Sequence, residues 1–205
     1  MHILIHPTYF PSIATFVAIT KAQSITFEMM DNFQKQTYRN RSYIYAANGK
    51  LQLSIPVIYT QKNRQLYKEV KIANDYNWQD IHWKSLESAY RTSPFFEFYA
   101  DELEPLFKTP FEYILDFNLK CFEVICDCLQ LDFSIKQTTV YNKEPVSLSD
   151  FRHLAQAKKE PTYNLEYYTQ VFSDKHGYIS NLSILDLLFN EGPNTLSYLE
   201  SQQLL

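Results

Sequence analysis

The chain has 205 residues, 45% hydrophobic and 20% charged, and a formal net charge of −4. That composition belongs to a folded globular chain rather than a disordered one, and the acidic balance excludes the basic footprint of a duplex nucleic-acid binder. Only three glycines occur, Gly49, Gly177 and Gly192, far apart from one another, so a Rossmann fingerprint, a P-loop, a kinase glycine loop and a G-x-S-x-G nucleophile elbow are all impossible.

Taken in chain order, the first apolar run is His2-Ile3-Leu4-Ile5, ended by Pro7, which reads as a buried strand. A helix follows Pro11, with Ser12 as its N-cap and Ile13, Phe16, Val17 and Thr20 on one face. Ser24 to Met29 alternates and reads as a second strand. If these strands are parallel, they form a β-α-β unit. The loop after the first strand then faces the carboxyl edge of the sheet, where α/β folds place ligands. Next comes a hairpin, with strands Ser42–Tyr45 and Lys50–Ile55 around Ala46-Ala47-Asn48-Gly49. Asn-Gly between alternating runs is a strong hairpin signal because both residues tolerate φ > 0. Pro56 ends the second strand, the polar link Thr60 to Arg64 follows, and Val70-Lys71-Ile72 is a further candidate strand.

The remainder reads as mainly helical. Helices are expected over about 80–90, 95–107 and 110–131. The third carries Phe111, Leu115, Phe122, Ile125 and Leu129 on one side, with Asn118 between them, and is expected at the centre of the core. Residues Val140 to Pro161 read as a solvated connection, with Lys158-Lys159-Glu160-Pro161 nearest to a linker, and 178–205 as a helix-rich end broken at Gly192-Pro193. The expected class is therefore α/β, with α+β as the alternative. It is read as one domain over 1–205, with strands mainly in 1–79 and helices mainly in 80–205.

Cys121, Cys126 and Cys128 lie in the apolar helical stretch and match no disulfide or zinc spacing. They are read as buried thiols of a reduced, cytoplasmic protein. The N-terminus lacks a basic n-region, and no run approaches the ~20 apolar residues of a membrane span.

Three constellations could carry chemistry. The densest polar stretch is Asp31-Asn32-Phe33-Gln34-Lys35-Gln36-Thr37-Tyr38-Arg39-Asn40-Arg41. Its cations suit a phosphate or carboxylate ligand, and in an extended Tyr38–Tyr43 the Arg39 and Arg41 side chains share a face. The alternative is a solvated loop with surface arginines. His6-Pro7-Thr8-Tyr9-Phe10-Pro11-Ser12 forms the first strand-to-helix turn, an anion site made without glycine. There His6 is either a general acid/base or an anchoring residue. The second histidine of the H-x-G-H pattern of adenylyl-transferring enzymes is missing. The third cluster runs from His82 to Arg91, with Lys84, Ser88 and Arg91 in register on one helix face. They either grip an anion or form a half-buried face with a Glu87–Arg91 pair. The remaining histidines, His153 and His176, have no paired ligand spacing.

Four stretches together resemble the WbqC-like family of bacterial proteins: His6 to Pro11, Asp31 to Arg41, Leu53-Ser54-Ile55-Pro56-Val57, and His82 to Phe96. They occur in order over nearly the whole chain, and the second and fourth are the most specific. The chain departs from the family pattern at His6, Ser12 and Ala14, where many members carry Gln, Trp and Gly, which points to a branch with a different substrate.

The family is associated with O-antigen and other surface-polysaccharide synthesis. The resemblance implies a transferase acting on a small anionic substrate, such as a nucleotide-linked aminosugar receiving an acyl or aminoacyl group. The alternative is a non-catalytic binding or scaffold protein of the same pathway. In the transferase reading Asp31, His82 and His6 are the catalytic candidates. Lys35, Arg39, Arg41, Lys84, Tyr90, Arg91 and Tyr9 are expected to bind substrate. The resemblance names no particular cofactor or oligomeric state, and neither nucleic acid nor a membrane span is expected.

Overall fold

A computed structural model describes residues 1–60, 64–158 and 161–204. The Lys159-Glu160 part of the expected linker and residues 61–63 of the polar link lie outside them. The architecture is mixed α/β, as the sequence indicates.

Its centre is a parallel four-stranded sheet. β1 (His2–Ile5) leads through α1 (Ile13–Thr20) to β2 (Ser24–Phe27), and the two strands pair in parallel from His2 against Ser24 to Ile5 against Phe27. Ser12 caps α1 by accepting a hydrogen bond from the Thr15 backbone N–H. Seven of the eight residues of α1 are buried, so this short helix is held by tertiary packing rather than by propensity.

The antiparallel hairpin pairs β3 (Arg41–Ala46) with β4 (Gly49–Ser54). Its turn differs from the expected one. Gly49 has φ +98° and Asn48 is not in the left-handed region. That fits a turn at Ala47-Asn48 closed by a left-handed glycine, not one with positive φ at both Asn and Gly. A short ribbon pairs β5 (Val57–Ile58) with β6 (Lys71–Ile72).

The helices follow: α2 (Trp78–Tyr90), α3 (Phe96–Lys108) and α4 (Ile114–Leu129). α4 is central, as its apolar pattern predicts. Phe122 stacks on Phe16 of α1 and meets Phe27 of β2 edge-on. Phe117 lies against Tyr9 and Trp78.

β7 (Ser134–Gln137), in a stretch given no element from sequence, joins β2. The region after it, Val140 to Pro161, read as a solvated connection, is the main correction: β8 (Ser149–Asp150) lies in it and joins β1 on the other side of the sheet, followed by a 3-10 turn at Arg152–Ala155. The sheet order is therefore β7-β2-β1-β8, all parallel. α5 (Ser173–His176), α6 (Ile184–Glu191) and α7 (Thr195–Ser201) complete the chain. One buried apolar cluster contains residues from β1 through α7.

Candidate functional site

The chain runs from β1 to β2 on one side, and β8 returns to the opposite flank of β1. The reversal of strand order lies between β1 and β8. In open parallel sheets ligands bind at the carboxyl ends of the strands on either side of such a reversal. The residues leaving those ends are His6 after β1, Glu28 and Asp31 after β2, and Asp150 with Arg152 at the end of β8. All of these but Glu28 line a cavity of about 280 Å³, together with Gln34, Arg39, Tyr141, His153 and Gln156.

The first turn is strained. Phe10 has φ +40°, a left-handed value that costs a bulky residue about 1–3 kcal/mol. Tertiary contacts hold it there. Its carbonyl accepts hydrogen bonds from the Ser42 and Ser183 hydroxyls, and its buried ring packs on Tyr9 and Phe107. The neighbouring Tyr9 N–H donates to the Tyr38 carbonyl and so ties this turn to the polar loop.

That loop is a built structure. Asp31 O accepts from Tyr67 N–H, Tyr38 N–H donates to Ala155 O, and Asn40 N–H closes back on Thr37 O. The closure at Thr37–Asn40 overturns the extended Tyr38–Tyr43 geometry. Arg39 turns inward and is 2% exposed, whereas Arg41 opens β3 and donates to Gln52 Oε1 on the hairpin. Asn118 of α4, which interrupts that helix's apolar face, donates to the Arg39 carbonyl at 2.7 Å and to the Tyr67 hydroxyl. The Arg39 guanidinium lies 5.6 Å from the Tyr67 ring centre.

At the cavity three groups meet. Arg39 Nη2 donates to Asp31 Oδ2 at 2.8 Å and to His6 Nε2 at 2.7 Å. His6 Nε2 is also 3.2 Å from Asp31 Oδ2. A guanidinium only donates, so Nε2 accepts in the contact with Arg39, whereas a proton on Nε2 is donated to Asp31. His6 Nδ1 is buried without a hydrogen-bond partner, as is Arg39 Nε. Burial and then the Arg39 charge lower the His6 pKa to about 4, against the pull of Asp31. Burial alone would raise Asp31, but the His6 contact and the Arg39 charge hold it below the ordinary carboxylate range.

The opposite wall is a second ion-pair group. Arg152 grips Asp150 through Nε to Oδ1 at 2.9 Å and Nη2 to Oδ2 at 2.6 Å. Its remaining donors go to the Asn142 and Lys143 carbonyls and to Glu28 Oε2. Tyr141 lies over its guanidinium. Glu28 is fully buried, and its Oε1 accepts from Met30 N–H and the Thr138 hydroxyl. Arg152 is thus saturated, whereas Arg39 has donors left for a ligand.

The structure brings together His6, Asp31 and Arg39 of the residues singled out from sequence. The others lie elsewhere. Lys35 sits over the Tyr59 ring. His82 and Tyr9 bond each other in the core, with the Tyr9 hydroxyl 2.9 Å from Nδ1. Burial lowers the His82 pKa to about 4, against a bond to the Ser54 backbone. Tyr90 donates to the buried Asp186 at 2.6 Å. Lys84 and Arg91 are exposed and pair along α2 with Asp80 and Glu87. None of these lines the cavity.

Glu28, Tyr141, Asp150 and Arg152 were missed. Asp150 and Arg152 belong to a two-residue strand and the turn after it, too short to show any period, and Glu28 reads in sequence as one more alternating position of the second strand. Among the described residues no three His, Cys, Asp or Glu side chains group as metal ligands. Among the same residues no helix is long and apolar enough to cross a membrane.

Comparison with known proteins adds three findings. A model of the WbqC-like protein family matches residues 6–163. The chain is 23% identical over 201 residues to an uncharacterized protein of Mycobacterium tuberculosis, Rv1507c, covering 84% of this chain and 87% of that protein. No solved structure matches.

Proposed function

The chain belongs to the WbqC-like protein family, and on that premise we propose that it is a transferase of surface-polysaccharide or cell-envelope biosynthesis. Its substrate is small and anionic and binds at the carboxyl edge of the parallel sheet. One observation carries this reading: the almost wholly buried Arg39 guanidinium lines a cavity and keeps an unpartnered Nε. Burying a cation with unused donors is costly unless an acceptor arrives to meet them. A phosphoryl or carboxylate group fits that need.

A cavity of about 280 Å³ falls just below the range of ligand sites, roughly 300 to 1,000 Å³. It holds a sugar ring or an acidic head group rather than a whole nucleotide sugar. The bulk of a nucleotide-linked aminosugar would lie across the rim, past the 44% exposed Tyr141. In this reading Arg39 holds the anion. His6, steadied by Asp31, takes the proton from an attacking amine or hydroxyl as its nitrogen or oxygen bonds to the acyl carbon and the donor's leaving group departs.

A non-catalytic binding role in the same pathway draws on a different observation. Asp31, Asp150 and Arg152 are all partnered within the chain. Mass spectrometry separates the two readings. Incubation with a nucleotide-linked aminosugar and an acyl donor yields the acylated sugar if the protein is a transferase, and His6→Gln abolishes that product. Binding of the sugar with no mass gain from any acyl or aminoacyl donor would leave the scaffold role.

A further inference from the structure

Among the described residues β2 is the one strand that pairs with β7, so the parallel sheet is open along the outer edge of β7. All four residues of that strand are exposed, Ile135 to 49%. The other end of the sheet is β8, whose two residues offer an added strand little to bond. Beside β7 lies an apolar groove of about 370 Å³, walled by Phe27, Phe122, Leu131, Phe133 and Ile135. An open edge next to such a groove supplies what a further strand requires, backbone groups to bond and room for alternate side chains.

The pairing with β2 fixes which backbone groups are free. Thr138 N–H donates to Phe27 O, and the direction of these groups alternates along a strand. Ser134 and Lys136 therefore turn theirs toward β2. Ile135, and Phe133 two positions before it, turn theirs outward. In an antiparallel pair the residues that exchange hydrogen bonds stand directly opposite each other. Outward residues must then face outward residues. Two copies related by a two-fold axis meet this condition only in registers centred on a residue, not between two.

Those registers differ in what they bring together. Centred on Lys136, Lys136 meets itself. Centred on Ile135, Lys136 meets Ser134, and Asp132 meets no cation. Centred on Ser134, Asp132 meets Lys136 of the second copy, and symmetry repeats the pair. Phe133 then meets Ile135, also twice, and these are the residues that exchange hydrogen bonds. Asp132 and Lys136 are both exposed, and no ion pair among the described residues uses either.

We propose that the chain associates with a second copy of itself through β7, antiparallel and centred on Ser134, so that the two four-stranded sheets become one. Asp132-Phe133-Ser134-Ile135-Lys136 is its own complement in this arrangement, acid against base and ring against branched chain. Two acids of α4 also line the groove. Glu123 is paired with Lys120 at 2.9 Å, and Asp127 is exposed. The inference does not depend on the anion site, which none of the five complementary residues lines.

Sedimentation velocity of the full chain over a wide concentration range tests the proposal. Wild type should show a reversible monomer–dimer equilibrium. Asp132→Lys and Lys136→Asp, each alone, set like charges opposite each other at two places and should weaken the dimer by about tenfold. The two together only exchange the members of each pair and should return the affinity to that of wild type. Ile135→Pro removes an outward N–H that β2 does not use, a position where edge strands tolerate proline, and should abolish the dimer. Thermal melts check that each variant is folded, and inorganic sulfate, as a probe of the anion site, should shift their Tm as it does that of wild type. A wild-type chain that is monomeric throughout would overturn the proposal. So would a dimer indifferent to both single reversals, or a double reversal as weak as the singles, because the contact would then lie elsewhere or in another register. If Ile135→Pro does not fold, the charge series decides by itself.

Discussion

Arg39 and His6 stand 33 positions apart and meet at 2.7 Å, the guanidinium donating to Nε2. One residue leaves β1 and the other closes the loop after β2, so the parallel pairing of those strands is what brings the two together. The contact is held from below by α4. Asn118 donates to the Arg39 carbonyl, and the Tyr67 hydroxyl, which accepts from Asn118, donates to the Pro7 carbonyl.

Asn118 is therefore a positioning residue. Asn118→Ala leaves the Arg39 carbonyl without its buried donor, at a cost of about 1–3 kcal/mol. Thermal denaturation should show Tm lower by several degrees, since 1 kcal/mol is worth about 2–4 °C at this size. Sulfate affinity should fall as well. A variant with lowered Tm and unchanged sulfate affinity would show that Asn118 supports the core alone.

Acid should destabilise the protein in a defined window. His6 and His82 are both buried with pKa values lowered to about 4. The unfolded chain protonates them near 6.5, and the folded one does so only near 4. The unfolded state thus binds more protons between those values, and stability is lost as pH falls from about 6.5 to 4. The slope is about 1.4 kcal/mol per pH unit for each histidine. Asp31, with its lowered pKa, adds to the loss at the acid end, while Asp186, raised by burial, offsets part of it. Melts at half-unit steps should show Tm falling steeply below pH 6.5, and His6→Gln should flatten the curve. A Tm constant from pH 7 to 4.5 would contradict the buried neutral state of both rings.

Tyr90 belongs to a separate buried network. Asp186 accepts from Tyr90, Tyr168 and Gln170, and the Tyr90 hydroxyl also accepts the Tyr45 N–H. Tyr90→Phe removes one donor from a buried carboxylate and orphans a buried N–H. It should cost about 2 kcal/mol while leaving ligand-induced shifts intact. Calorimetry with and without sulfate separates the two effects. Loss of sulfate binding at unchanged stability would instead place Tyr90 in the binding site.

Gly192 ends α6 with φ +53°, and a Cβ there would meet the Phe95 ring at 2.5 Å. Gly192→Ala combines backbone strain with overpacking, each worth about 1–3 kcal/mol. Denaturant unfolding should show a lower midpoint with an unchanged slope. An unchanged midpoint would mean that the ring moves aside at little cost.

The parts legible in the sequence are those with local periodicity or local stops. β1, α1, β2, the hairpin and the core helix α4 follow from apolar spacing, Pro11, Pro56 and the Asn48-Gly49 pair. His6, Asp31 and Arg39 stand out as charges next to strand ends. β8 was illegible because two residues carry no period. Its pairing with β1 is set by tertiary context, and Asp150 and Arg152 go with it. The side-chain face of Arg39 was misread for a related reason. The turn at Thr37–Asn40 is fixed by long-range bonds to Ala155 and Ile55 rather than by turn residues. On α2, the in-register Lys84 and Arg91 are met by Asp80 and Glu87 on their own helix, a pairing as local as the register itself.

The most direct measurement is a thermal-shift panel of nucleotides, nucleotide sugars, acyl-CoAs and amino acids on wild type, Arg39→Gln and Lys84→Ala. A ligand at 100 times its Kd stabilises by about 2.7 kcal/mol, which is roughly 5–10 °C for a chain of this size. The expected result is a shift by an anionic compound in wild type and Lys84→Ala that is lost in Arg39→Gln, each variant being compared with its own ligand-free Tm. A shift that survives Arg39→Gln and disappears in Lys84→Ala would place the site on α2 and contradict a binding site at the carboxyl edge of the sheet.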